Sequence, residues 1–260
     1  MENWVCMKST LRVVRKFFRF SRQIISAVLD YRRSVWKAGL HEDYRAKAEW
    51  LQRWSRRVLD ALDVEWSCEG APPERGMLAS THVSYLDILV IAAQLKAVFV
   101  AKSQVRRWPL VGWVTSLAGT LYVSRENRGD VKRVAEAFGP VIEQGVVAVV
   151  FPEGTSTDSH EVRPFYSSLF EPAVAGAFPI TAAWVGYKVP EPYRIESHVC
   201  FWGDMGFAPH LIRLMCTPSV KAKLVFGQTI ELPKERKEVA KALWEDVMGI
   251  ARKEGYLTDH

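Results

Sequence analysis

A histidine and an aspartate separated by four residues form the first pattern in this sequence that could do chemistry. They are His82 and Asp87. An apolar run precedes the histidine and predicts a strand, whereas a helical pattern begins near the aspartate. A carboxylate bending back from the first turn of that helix can bind the imidazole and set its tautomer, so that the histidine deprotonates a substrate hydroxyl. A structural histidine beside a helix cap at Ser84 is the alternative that this spacing leaves open.

Two further segments place polar residues after predicted strands. Arg125 follows the strand predicted at Thr120–Ser124, and a buried run at Val146–Phe151 is followed by Pro152-Glu153-Gly154-Thr155-Ser156. The arginine side chain can donate two parallel hydrogen bonds to one anion, and the glycine-threonine-serine turn offers backbone N–H groups. Both suit an anionic ligand. Taken alone, Arg125 is equally consistent with a surface ion pair.

Short β-rich runs alternate with helical stretches after residue 63. The predicted strands are Gly76–Thr81, Ala97–Ala101, Thr120–Ser124, Val146–Phe151, Ile180–Val185, His198–Trp202 and Lys221–Phe226. The predicted helices are Asp87–Gln94, Val131–Gln144 and Glu238–Lys253. This alternation predicts an α/β fold, a mixed sheet flanked by helices, with the ligand site outside the carboxyl ends of the strands.

The first 62 residues have a different pattern. Helical spacing extends from Leu11 to Lys37, and Gly39 separates this stretch from a second one at Glu42–Ala61. The apolar positions of the first stretch are Phe17, Ile24, Val28, Tyr31 and Val35. We therefore predict an amphipathic two-helix hairpin over residues 1–62, followed by an α/β domain over residues 63–260.

Charge is concentrated in the same segment. The whole chain carries +6, but residues 1–60 hold 14 basic and 6 acidic residues, or +8. This basic N-terminal segment predicts an anionic partner, either a phospholipid leaflet or nucleic acid. Hydrophobic residues at 48% and charged residues at 25% exclude a disordered or fibrous chain. The four cysteines show neither metal-ligand spacing nor a disulfide framework, so no metal site is expected.

Tryptophan beside arginine and lysine on an amphipathic helix favours the lipid surface over nucleic acid. The side chains expected to insert are Phe17, Phe18, Trp36, Trp50 and Trp54. No apolar run approaches the ~18 residues of a transmembrane helix. We expect peripheral attachment to the cytoplasmic face of the cell membrane. The alternative is a hairpin that packs on the body and exposes a solvated charged face.

Four motifs in this chain resemble those of the glycerophospholipid acyltransferases. The first is His82 with Asp87, and the second is Gly119 with Arg125. The third is Phe151-Pro152-Glu153-Gly154-Thr155, and the fourth is Phe178-Pro179-Ile180-Thr181. The four occur in the family's order and cover about Gly76 to Tyr187.

The resemblance implies transfer of a fatty acyl group from acyl-CoA or acyl carrier protein to the free hydroxyl of a lysophospholipid. The commonest acceptor in the family is 1-acylglycerol-3-phosphate, which gives phosphatidic acid. By this resemblance His82 is the general base and Asp87 its orienting partner, and no bound cofactor is needed. Residues implied to hold the acceptor are Arg125, Glu153, Gly154, Thr155 and Lys102.

The sequence departs from the family pattern in two places. Thr81 precedes the histidine where asparagine is usual, and Ser156 stands where the phosphatidic-acid-forming enzymes commonly have arginine. Residues 162–165 and 201–205 look more like the lyso-ornithine-lipid acyltransferase branch, so that acceptor is the alternative. A nucleic-acid-binding module and an inert lipid-binding relative are the competing classes of function.

Overall fold

A seven-stranded sheet lies at the centre of the part of the chain that the structure describes. This computed structural model describes residues 2–108, 111–124, 128–232 and 235–257. The strands are β1 Val64–Glu69, β2 Met77–Ser80, β3 Ala97–Lys102, β4 Leu121–Val123, β5 Val147–Val150, β6 Ile180–Lys188 and β7 Val220–Ile230.

The sheet is mixed, as predicted. Its strand order is β1-β7-β6-β2-β5-β3-β4, and within it β6 and β7 pair antiparallel. The neighbours β6, β2, β5, β3 and β4 all run parallel to one another. The carboxyl ends of β2, β3 and β5 therefore share one edge, where ligand sites form in sheets of this kind.

Helices cover both faces of the sheet. They are α1 Glu2–Tyr31, α2 Tyr44–Ala61, α3 Leu86–Gln94, α4 Val111–Leu117, α5 Arg128–Glu143, α6 Glu171–Ala175, α7 Ile195–His198, α8 Phe207–Cys216 and α9 Arg236–Lys253. One face packs against α2, α3 and α8, and the other against α5, α6 and α9. Strands covered on both faces are apolar at successive positions, and every residue of Val147–Val150 is buried.

The predicted two-helix element is present at the N-terminus. α1 ends in a π-helical turn at Arg32–Trp36, and α2 begins after Asp43, whose side chain accepts a 2.8 Å hydrogen bond from the N–H of Ala46. The division of the chain into domains at residue 62 stays a prediction.

Two tryptophans bind α2 to α1. Nε1 of Trp50 donates to the carbonyl of Ala27 at 2.9 Å, and Nε1 of Trp54 donates to the Asp30 carboxylate at 2.8 Å. Their exposures are only 2% and 6%. The prediction that Trp50 and Trp54 insert into lipid is therefore wrong, because this face of α2 lies in the core.

The outward face of α1 is apolar as well. Apart from Phe17, its exposed large apolar residues follow at intervals of three, four, seven and four, which places them on one side of the helix, and the exposed Arg15 and Arg22 lie along the edge of that side. We call this set the outer stripe: Leu11, Val14, Phe18, Ile25 and Leu29. Phe17, one of the predicted apolar positions, is 53% exposed, whereas Tyr31 and Val35 of the same set are buried. None of the described helices is both long and apolar enough to cross a membrane.

One predicted strand is wrong, and five of the described strands and α-helices were not predicted. The run at His198–Trp202 is no strand, because α7 ends at His198 and a loop follows in which Val199 and Cys200 are buried. The strand β1 and the helices α4, α6, α7 and α8 had no prediction.

Candidate active site

The end of β2 and the start of α3 bring His82 and Asp87 together. β2 ends at Ser80, His82 lies in the following loop, and Asp87 is the second residue of α3. Nδ1 of His82 lies 2.8 Å from Oδ2 of Asp87. The hydrogen bond expected between these two side chains is thus present, with the imidazole 21% exposed and the carboxylate buried.

The Asp87 carboxylate acts as an acceptor on both oxygens. Oδ2 also accepts from the N–H groups of Val83 at 2.8 Å and Ser84 at 2.9 Å. Oδ1 accepts from the hydroxyl of Tyr187 at 2.6 Å. A carboxylate among such donors is an acceptor for the imidazole too, so Nδ1 carries the ring proton. Nε2 of His82 is then left with a free lone pair.

Ser84 supports the start of α3, although less directly than a capping side chain usually does. Its Oγ accepts a 3.3 Å hydrogen bond from the N–H of Leu86, the first residue of the helix. The N–H of Ser84 binds the Asp87 carboxylate in return. This reciprocal pair gives the loop its sharp entry into α3.

Phe151 sets the plane of the imidazole from the neighbouring strand. Its ring stacks on that of His82 with 4.0 Å between centroids and 16° between planes. The carbonyl of His82 also accepts from the N–H of Thr157 at 3.0 Å. The loop after β5 therefore holds both the side chain and the backbone of the histidine.

Glu153 links two loops instead of facing solvent. Oε1 accepts from the N–H of His82 at 3.0 Å, and Oε2 accepts from the N–H of Arg163 at 2.9 Å. Burial raises the pKa of this carboxyl to about 7, against the opposing effect of the two backbone hydrogen bonds. The predicted direct contact with an acceptor headgroup would need an exposed carboxylate, whereas Glu153 is 3% exposed.

The other predicted binding residues lie around the same sheet edge where they are described. Gly154 adopts φ +72°, and its N–H donates to the carbonyl of Phe151 at 3.0 Å, which closes the turn. Lys102 is the last residue of β3, Thr155 lies in the turn after β5, and both are exposed. Arg125 lies outside the described residues. Contact of these side chains with a headgroup stays a prediction.

The two residues that depart from the family pattern both make hydrogen bonds. Oγ1 of Thr81 accepts from the N–H of Val185 at 3.1 Å, which ties the loop before His82 to β6. Oγ of Ser156 donates to the carbonyl of Phe201. Ser156 thus connects the turn after β5 to the segment that follows α7.

An aromatic cluster borders the histidine loop, and sequence spacing gave no sign of it. The N–H of Phe201 donates to the carbonyl of Val83 at 2.8 Å, and the hydroxyl of Tyr85 lies 3.1 Å from Nδ1 of His210. Burial lowers the pKa of His210 to about 4. Trp108 and Trp202 remain 41% and 40% exposed. The cluster consists of Tyr85, Trp108, Phe201, Phe207 and His210.

The chain is similar to known acyltransferases. The family model described as Acyltransferase matches residues 66–186. A lyso-ornithine lipid O-acyltransferase of Rhodobacter capsulatus is 30% identical over 195 residues, which cover 72% of this chain and 70% of that protein. A 1-acyl-sn-glycerol-3-phosphate acyltransferase of Neisseria meningitidis is 30% identical over 135 residues, 51% of this chain and 53% of that protein.

A solved structure has the same fold. The crystal structure of the 1-acyl-sn-glycerophosphate (LPA) acyltransferase PlsC from Thermotoga maritima matches with a TM-score of 0.69 at 18% identity. The match covers 98% of this chain and 100% of that one. Together with the Rhodobacter relative, these similarities show that the chain belongs to the Acyltransferase family. It is an acyltransferase with a mixed α/β fold.

Proposed function

We propose that this acyltransferase moves a fatty acyl group from a thioester to the free hydroxyl of a lysolipid, with His82 as the general base. The observation that carries the proposal is the 2.8 Å hydrogen bond between Nδ1 of His82 and the buried Asp87 carboxylate. It leaves Nε2 as the atom that can take a proton. The Phe151 ring and the Glu153 carboxylate keep the imidazole and its backbone in place.

The chemistry needs no covalent acyl-enzyme. Nε2 of His82 removes the proton of the acceptor hydroxyl as its oxygen attacks the thioester carbonyl. The carbon–sulfur bond then breaks, and the imidazolium returns the proton to the leaving thiolate. Acyl-CoA or acyl carrier protein supplies the thioester. A thioester is already activated, so the main requirement is a nucleophilic hydroxyl, and general-base catalysis contributes about 10²–10⁴-fold.

Two acceptors are supported to different degrees. The lyso-ornithine lipid enzyme of Rhodobacter matches 72% of this chain, whereas the Neisseria 1-acylglycerol-3-phosphate enzyme matches 51%. Ser156, in place of an arginine that could bind a phosphate monoester, already donates its hydroxyl to Phe201. These observations favour lyso-ornithine lipid. 1-Acylglycerol-3-phosphate, the acceptor predicted from the motifs, remains the second candidate because its enzyme is also 30% identical.

We also propose that the outer stripe of α1 rests on the cytoplasmic membrane surface. Five large apolar side chains on one helix side, each at least 45% exposed, are unusual for a surface left in water. Phe17 and Trp36, at 53% and 61% exposure, extend the same apolar surface. Lipid contact buries these side chains without requiring a spanning helix.

A basic groove between α1 and α2 lies beside the outer stripe. Arg33, Arg53 and Arg57 line a groove of about 310 Å³ that also includes Leu29. Its carboxylate, Asp30, is bound to Arg53 at 3.0 Å and to Nε1 of Trp54. The groove thus keeps an excess of positive charge next to the apolar face, which suits anionic lipid headgroups.

Other basic residues of the N-terminal helices are bound within the protein. Arg15 and Arg19 pair with Asp63 at 2.7 and 2.5 Å. Lys16 is buried, and its Nζ donates to the carbonyls of Leu62 and Thr217. The charge available to the membrane is therefore smaller than the +8 of this segment.

The function is tested with purified protein and a labelled acyl thioester. Acyl-CoA and acyl carrier protein donors are each combined with lyso-ornithine lipid, 1-acylglycerol-3-phosphate and lysophosphatidylethanolamine. We expect a labelled diacyl product, formed fastest from lyso-ornithine lipid. Product from 1-acylglycerol-3-phosphate alone would move the proposal to the second candidate, and no product from any pair would refute lysolipid acyl transfer.

A further inference from the structure

Tyr187 is a buried residue that contacts the histidine–aspartate pair from the far side. It lies near the end of β6 and is 1% exposed. Its hydroxyl donates a 2.6 Å hydrogen bond to Oδ1 of Asp87, although the two residues are 100 positions apart. None of the motifs described above contains it.

The two oxygens of Asp87 have different partners. Oδ2 binds Nδ1 of His82 and two backbone N–H groups, whereas the donor to Oδ1 among the described residues is Tyr187. A carboxylate with no exposed surface needs a hydrogen-bond donor at each oxygen, because burying an unpartnered polar atom is costly. The tyrosine hydroxyl therefore completes the set of hydrogen bonds and restrains rotation of the carboxylate about its terminal bond.

We propose that Tyr187 is a positioning residue for acyl transfer, acting on His82 through Asp87. Its hydroxyl keeps Oδ2 aligned with Nδ1 and withdraws electron density from the carboxylate. Both effects govern how strongly the imidazolium is stabilised during proton transfer. The inference rests on the proposed function, in which His82 is the base.

Glu153 is the neighbour of this cluster whose pKa, about 7, lies near neutral. Burial and the neighbouring Asp87 hold the pKa of Tyr187 well above its usual range, so its hydroxyl stays a donor. Burial also raises the pKa of Cys200 and of Tyr256 to about 12, so both remain neutral. The titratable groups facing the cluster from the packed loops and the C-terminal segment are His82, Glu153, Cys200 and Tyr256.

The test replaces the hydroxyl and measures the dependence of kcat/KM on pH. Tyr187→Phe removes one donor to Asp87, which leaves more electron density on Oδ2 and stabilises the imidazolium. The midpoint of the acid limb, the fall in kcat/KM at low pH, is then expected to shift to higher pH by about 0.5 unit. Loss of alignment should lower kcat about tenfold with KM unchanged, since a hydrogen bond to an anion is lost.

Tyr256→Phe is the matched control. The hydroxyl of Tyr256 donates to the backbone carbonyl of Tyr187, so this variant loses a hydrogen bond in the same cluster without touching Asp87. We expect its acid limb to coincide with that of the wild type, whatever stability it loses. Because Glu153 is present in all three proteins, its titration cancels in the comparison.

A second variant keeps the side-chain volume. Replacing Tyr187 with 3-fluorotyrosine makes the phenol a stronger donor, and the acid limb should move in the opposite direction. This variant carries the test if Tyr187→Phe fails to fold. Profiles that coincide with the wild type in either folded variant would overturn the inference. An active His82→Ala enzyme would instead refute the proposed base, so the two failures are distinguishable.

Discussion

The N–H of His82 donates a 3.0 Å hydrogen bond to Oε1 of Glu153, which lies 71 positions later in the sequence. The other oxygen accepts from the N–H of Arg163. Glu153→Ala would leave both N–H groups without this partner, at a cost of about 2–4 kcal/mol. We expect a lower free energy of unfolding and a lower kcat, because the histidine loop loosens.

The Glu153→Ala variant also distinguishes support of the histidine loop from direct binding of the acceptor headgroup. KM for the lysolipid should stay within about twofold, since uniform binding of the acceptor is unchanged. Denaturant unfolding and steady-state kinetics measure the two quantities. A large rise in KM with wild-type stability would show that Glu153 contacts the acceptor, as the family resemblance implied.

His210 should make the protein less stable in acid. Burial holds its pKa at about 4 instead of 6.5, so the folded state resists protonation while the unfolded state accepts it. Its contribution is complete above pH 6.5 and is lost as the pH falls towards 4. The shift corresponds to about 3 kcal/mol.

His210→Gln keeps an acceptor for the Tyr85 hydroxyl but does not titrate. We expect the wild type to lose about 3 kcal/mol of unfolding free energy relative to this variant between pH 7 and pH 4. Measuring a difference removes the opposite pH dependence of Glu153, which both proteins share. A difference that stays constant over this range would contradict the assignment.

The outer stripe should bind membranes in a way that salt does not screen. Ile25→Ser combined with Leu29→Ser removes two half-exposed apolar side chains and should weaken vesicle partitioning by about 3 kcal/mol, roughly 100-fold. Sedimentation with vesicles at low and high salt measures this loss. Thermal stability should hardly change, and Tyr166→Ser, at a residue 53% exposed elsewhere, serves as the control. Unchanged vesicle partitioning would show that the outer stripe does not contact the membrane.

The basic groove should contribute only with anionic lipid. Each arginine near a charged leaflet contributes about 1 kcal/mol, so replacing Arg33, Arg53 and Arg57 with glutamine should cost about 3 kcal/mol at low salt and little at high salt. A charge-matched control replaces three residues of α9, namely Arg236, Lys237 and Lys241. Equal losses in the two triple variants would indicate net charge instead of the groove.

Much of the fold follows from local patterns in the sequence. The strand predicted at Val146–Phe151 is present as Val147–Val150, and it was predictable because a strand covered on both faces is apolar throughout. β1 was missed although Val64, Trp66 and Cys68 alternate with polar residues; it is a short edge strand in which one of six residues is buried. For α1, the hydrophobic pattern could not tell the side against the protein from the outer stripe. That distinction depends on where α2 and the sheet lie.

In the site, too, contacts between residues close in sequence were predictable, whereas contacts between distant residues were not. His82 and Asp87 were predictable because they are close in sequence and their hydrogen bond forms within one loop and turn. Phe151 was predicted only as the end of a strand and as part of a motif, and its stacking on the imidazole depends on strand order in the sheet. Tyr187 reaches Asp87 from 100 positions away, and spacing carries no signal for such a contact.

The role of His82 as the base is tested most directly by His82→Ala in a single-turnover assay with labelled acyl thioester and lyso-ornithine lipid. The backbone of residue 82 keeps its hydrogen bonds to Glu153 and Thr157, so the variant should fold, with a somewhat lower unfolding midpoint because Asp87 loses one donor. Its rate of acyl transfer is predicted to fall by about 10²–10⁴-fold. A folded His82→Ala protein that transfers acyl groups at nearly the wild-type rate would contradict the account.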